Sequence, residues 1–218
     1  MHIAGYCAAF CVADRFLTAT RLEGVYYLLH AVHNGLVTWS TAPEVWDTFV
    51  VPKGPGAAPN NYHALSLVFA LHFYHIALYW RKFRFDDWLH HVLMIGIALP
   101  IGAVVPAGTL LGYSLFFTTG LPGGIDYALL FLTRNGWLAR ATEKRANAWL
   151  SVWVRSPGCV AQATLTLAVA VPHVAAVGLA APPAVVAALV TAALNYWNGQ
   201  YFMEQVVRDA AARNVLNA

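Results

Sequence analysis

The stretch RKFRFDDWLHHVLMIGIALPIG, residues 81–102, sets three basic residues and two aspartates directly before an apolar run that opens on paired histidines. Charge followed by about twenty apolar residues is how a helix enters a bilayer, because the hydrocarbon core is roughly 30 Å thick and a helix rises about 1.5 Å per residue. The rest of the chain repeats that pattern. Of its 218 residues, 59% are hydrophobic and only 11% are charged, whereas soluble domains carry roughly a quarter charged residues. The expected class is all-α, a polytopic membrane protein.

Six apolar segments read as spans: residues 24–40, 62–80, 88–105, 110–132, 159–179 and 184–206. Basic residues set their orientation, since cytoplasmic loops collect Lys and Arg. Arg15 and Arg21 precede the first span, and Arg81, Lys82 and Arg84 join the second to the third. Arg134, Arg140, Lys144, Arg145 and Arg155 join the fourth to the fifth, and Arg208 and Arg213 follow the sixth. The alternate connections hold Lys53 with Glu44 and Asp47, or no charge at all around Pro106 and around Pro182 and Pro183. Both termini are therefore expected on the cytoplasmic side. The opening MHIAGYCAAFCVA is too short to span and lacks a basic leader. Residues 1–19 read as an interfacial segment, 20–208 as the membrane domain and 209–218 as a cytoplasmic tail. Without a basic stripe interleaved with stacking aromatics, nucleic acid is not an expected partner. The three cysteines follow no zinc or disulfide spacing.

Polar groups are costly in hydrocarbon unless paired, so those inside the spans carry the functional information. Spacings of three and four residues place them on shared helix faces: His30, His33 and Asn34 in the first span, and His72, His75 and Tyr79 in the second. In the third, Asp86 and Asp87 stand four residues before His90 and His91, so each carboxylate is expected to meet an imidazole. The alternative for these aspartates is capping of the helix N-terminus. In the fourth span, Pro122, Gly123 and Gly124 are expected to interrupt the helix, with Asp126 just beyond. The sixth adds Asn195, Asn198, Gln200, Tyr201 and Glu204, the last placed to pair with Arg208. Six histidines and Asp126 thus lie on four helices able to converge on one cavity. His2, His63 and His173 lie outside that set, near segment ends.

Three stretches, RLEGVYYLLHAVHN, DDWLHH and GGIDYALLF, together resemble the TLC domain shared by translocating-chain-associated membrane proteins and ceramide synthases. The resemblance covers residues 20–208. It implies a six-helix barrel around an intramembrane polar cavity in an endomembrane such as the endoplasmic reticulum. It also implies a lipid ligand handled for binding or for membrane lipid homeostasis. For chemistry it implies acyl-CoA-dependent acyl transfer to a lipid acceptor, with His90 and His91 matching the paired catalytic histidines and Asp126 an acidic residue of the later motif. Asp87 would tune the pair, and His30, His33, His72, His75, Asn195 and Asn198 would line the substrate path. The chain departs from the synthases in reading HHVLM after the histidines and in having Ile125 before Asp126.

This reading calls for no cofactor and no metal. Two others stay open: a metal-dependent lipid oxidase using the short boxes HAVH, HFYH and HH as ligands, and a small transporter or proton-coupled channel whose pathway the histidines and Asp126 line. The loop RNGWLARATEKRANAWLSVWVRSPG, basic and rich in tryptophan, is expected to form an amphipathic helix on the cytoplasmic leaflet.

Overall fold

The computed structural model describes residues 2–50, 59–177 and 183–213. Lys53, Pro182 and the last five residues of the expected tail lie outside that set. The described residues form seven long helices, one short 3-10 turn at Trp80–Lys82 and no strand. They are α1 (Ile3–Ala19), α2 (Val25–Val50), α3 (Tyr62–Tyr79), α4 (Phe85–Val104), α5 (Thr109–Arg134), α6 (Arg140–Leu150 continuing through Ser151–Arg155 into Ser156–Val177) and α7 (Pro183–Ala212). Each of the six apolar segments coincides with one of α2 to α7. Three stretches, α4, α5 and Arg140–Pro172 of α6, are long and apolar enough to cross a membrane.

α4, α5 and α6 share a local device. Each contains a five-residue π turn, at Met94–Ala98, Phe116–Gly120 and Ser151–Arg155, and each turn ends two residues before a proline, at Pro100, Pro122 and Pro157. Proline lacks the N–H that would bond the carbonyl four residues back, and its ring collides with that carbonyl. In each helix that carbonyl falls inside the π turn, where the wider coil moves it aside. The interruption expected at GLPGG is consequently absent: α5 runs unbroken past Pro122. Gly123 and Gly124 instead let α2 approach, since a Cβ on Gly123 would stand 2.6 Å from Asn34 Nδ2.

The helix ends are set by side chains. Asn61 Oδ1 accepts the Ala64 N–H at 3.0 Å to cap α3. Asn60 clamps the turn between α4 and α5, donating to the Gly102 and Val105 carbonyls at 2.7 Å and accepting the Ala107 N–H at 2.8 Å. Just past the end of α5, Gly136 (φ 72°) turns the chain so that the Trp137 N–H reaches the Leu132 carbonyl at 2.9 Å.

α1 packs along α3 rather than lying apart from the bundle. Phe10 joins a buried cluster with Leu29, Val37, Val68 and Tyr74. Asp14, 5% exposed, accepts hydrogen bonds from the Tyr74 and Tyr79 hydroxyls, each at 2.6 Å.

From Arg140 onward the basic loop is helical and forms the continuous first part of α6. Glu143 and Asn147 are buried, and Lys144 joins Glu143 at 3.5 Å and Asp209 of α7 at 3.1 Å. The pattern read as amphipathic faces α7 on one side.

Candidate functional site: a histidine cluster beside an apolar cavity

The six histidines do converge. α2 supplies His30 and His33 and α3 His72 and His75, each pair turned inward by its i, i+3 spacing, while α4 supplies the adjacent His90 and His91, one meeting His72 and the other His75. All but His90 are almost fully buried. His72 Nε2 lies 3.1 Å from His90 Nε2, and His75 Nδ1 lies 3.3 Å from His91 Nε2. The His30 and His75 rings stack at 4.3 Å between centroids, and Tyr127 of α5 closes on His30 at the same distance. Tyr26 completes the aromatic shell, 4.0 Å from His30 and 5.3 Å from His75.

The imidazoles pack against one another rather than lining an open polar cavity, because a buried polar atom is satisfied most cheaply by a neighbour. They meet nitrogen to nitrogen in twos. Among the described residues no group of three or more His, Cys, Asp or Glu is arranged to hold a metal ion.

The aspartates do something other than tune the imidazoles. Asp87 Oδ2 accepts the Arg84 N–H at 2.9 Å and so caps α4. It is the Asp87 main-chain carbonyl, not its carboxylate, that holds His91 Nδ1, at 2.7 Å. Asp86 Oδ1 accepts from the Tyr201 hydroxyl of α7 at 3.0 Å and makes no bond to His90. The N-terminal turn of α4 offers a free N–H that takes the Asp87 carboxylate, and a neighbouring helix takes that of Asp86. Asp126 has no hydrogen bond to a histidine either: its Oδ1 is buried without a partner, and the charges that act on it are those of Arg155, Glu143 and Lys144.

Arg155 was counted in the sequence only as a topology-setting charge. It stands at the last position of the π turn in α6, with its guanidinium 5.8 Å from the Phe202 ring centroid and its Nε buried without a partner. The proline two residues on was the available signal for an irregular, inward-turned position. Tyr26 and Tyr127, which wall the cluster, had no distinguishing signal among ten tyrosines.

Beside the cluster lie two cavities. The larger has about 840 Å³ of empty space, open on one side, between α4, α5, α6 and α7. Its wall is mainly aliphatic, Leu99, Leu111 and Leu115 among it, with Thr118, Gln162 and Asn195 as polar points. Asn195 is tied down, accepting from Ser114 at 2.8 Å and donating to the Thr191 carbonyl at 2.9 Å. The smaller cavity, about 410 Å³, is walled by His90 together with Asp86, Trp197, Tyr201 and Phe202. Met94, Ala98, Leu194 and Asn198 line both, so the apolar cavity and the one at His90 share a wall. Of the expected residues, His90, Asn195 and Asn198 border this pair of cavities. His30, His33, His72, His75 and His91 lie behind it, and Asp87 and Asp126 are not on its wall. No family model, curated protein or solved structure matches the chain.

Proposed function

We propose that the protein is a TLC-like, six-span membrane protein that binds a lipid with its tail in the larger cavity and its head at His90. The observation that carries this reading is the shared wall of the two cavities. A mainly apolar chamber with a few convergent polar groups at one end is what an amphiphile requires. The paired histidines, both termini on the cytoplasmic side and an endomembrane location belong to the same reading. Where a bond is made, it is acyl transfer from acyl-CoA to a lipid acceptor, with His90 taking the acceptor's proton.

Native mass spectrometry of the purified protein tests the binding. Wild type is expected to carry lipid, and Ala98→Trp with Leu194→Trp, which fill the space along the shared wall, to carry none while retaining helical circular dichroism. Lipid-free wild type, or equal occupancy in the filled variant, overturns the reading. Acceptor-dependent release of CoA from acyl-CoA, lost in His90→Ala, establishes the transfer step. Its absence in folded, lipid-loaded protein limits the function to binding.

A further inference from the structure

The hydrogen bonds of the cluster assign a proton to each imidazole. A main-chain carbonyl only accepts, so a ring nitrogen bonded to one must carry hydrogen. His72 Nδ1 lies 2.7 Å from the Val68 carbonyl and donates to it, which leaves His72 Nε2 as a lone pair. The His90 nitrogen 3.1 Å away must then be the donor, so His90 carries its hydrogen on Nε2 and its lone pair on Nδ1. His91 Nδ1 donates in the same way to the Asp87 carbonyl at 2.7 Å, and His91 Nε2 accepts from His75 Nδ1. Both nitrogens of His91 are therefore used inside the protein, as are both of His72.

The remaining three are closed off. His30 Nδ1 donates to the Tyr26 carbonyl at 2.6 Å, and His33 Nδ1 lies 2.7 Å from Asn34 Oδ1. The Nε2 atoms of His30, His33 and His75 are all buried without partners. His90 is the one member of the six that walls a cavity, and its Nδ1 is not among the buried unpartnered atoms.

We propose that the two adjacent histidines have different roles: His90 Nδ1 is the single reachable imidazole lone pair of the cluster, His72 is the residue that fixes it there, and His91 is structural. A lone pair on the wall of a cavity that adjoins an apolar chamber recognises a head group that donates a hydrogen bond. The ligand class is accordingly a long-chain alcohol or amine rather than an ester. This last step rests on the lipid-binding reading; the proton assignment does not.

The experiment uses the full chain in detergent, labelled with 15N at histidine, together with mass-spectrometric mapping of diethyl pyrocarbonate modification, which attacks an unprotonated imidazole nitrogen. His90 is expected to show a pyridine-type Nδ1 and a pyrrole-type Nε2, and to be modified at least tenfold faster than His91. His72→Gln, whose amide oxygen can accept the same hydrogen bond, keeps the His90 signature, whereas His72→Leu loses it. If His72→Leu fails to fold, wild type and His72→Gln still decide. Faster modification of His91, or a pyridine-type Nε2 on His90, overturns the assignment whether or not lipid binds.

Protection of His90 is then compared between a long-chain primary amine, the matching alcohol and a methyl ester of equal length. Protection by amine or alcohol alone supports the ligand class. Equal protection by the ester, or none by any of the three, overturns it and leaves the proton assignment standing. Lipid-free wild type in native mass spectrometry would instead overturn the lipid reading.

Discussion

Asp14 is the single buried carboxylate on α1, and two tyrosine hydroxyls of α3 hold it. Each is a hydrogen bond to a charged acceptor, the kind that contributes about 1.5–3 kcal/mol. Asp14→Ala removes the acceptor and leaves the Tyr74 and Tyr79 hydroxyls to find another. The expected outcome is destabilisation of about 3 kcal/mol, read as a lowered unfolding midpoint in detergent with the helical content of the folded state unchanged. Tyr74→Phe alone, which removes one bond and leaves the other, should cost roughly 1–2 kcal/mol. Nothing about the position of Asp14 among the first nineteen residues marks it as buried. It becomes so only because α1 lies along α3. His30, His33, His72 and His75 differ in this respect, because their helical spacing already placed each pair on one face. What spacing could not supply was the partner of each nitrogen. Asp87 stands four residues before His91 whether its carboxylate or its carbonyl makes the bond, and the capping of α4 decides for the carbonyl.

The close approach of α6 and α7 depends on glycine. A Cβ on Gly199 would stand 2.7 Å from Cys159 Cβ and 3.4 Å from the main chain of Ser156, so no side chain fits without separating the helices. Small residues at such crossings let backbones pack closely where no hydrophobic drive between helices exists. Gly199→Ala is expected to destabilise by about 1–3 kcal/mol through overpacking. Adding Cys159→Gly, which deletes the colliding atom, should recover most of the loss in a thermal-unfolding assay. No recovery would place the cost elsewhere than in this contact. The π turns act on the same level. By turning Arg155 toward Phe202, the turn in α6 puts a charge expected in a cytoplasmic loop against the inner face of α7. Prolines at 100, 122 and 157 are visible in the sequence, but proline alone does not dictate a π turn: Pro43 and Pro172 lie inside helices that have none at those positions. The surrounding packing selects where the coil widens.

Over the whole molecule, α4 is set apart from α7 by the two cavities, and the Tyr201 to Asp86 hydrogen bond spans the outer end of the smaller one. Under the proposed function this is the way in for a lipid. Joining cysteines placed at 86 and 201 with a bifunctional thiol reagent, in a background lacking Cys7, Cys11 and Cys159, is expected to stop exchange of bound lipid for labelled lipid. Reversal with a cleavable reagent should restore it. Exchange at an unchanged rate in the joined protein would place the entrance elsewhere.

The helical class and the residues present in the histidine cluster follow from the sequence by itself. Apolar runs too long for strands can satisfy their backbone only as helices, and three- and four-residue spacing brings like residues to one face regardless of the neighbours. The tertiary structure alone decided which imidazole faces open space, that Asp86 takes the Tyr201 hydroxyl of α7, and that the basic loop begins α6 and packs against α7. The physical reason is common to all three. Each turns on which of several available partners a polar atom takes, and that choice is made between helices distant in the chain, where residue spacing carries no information.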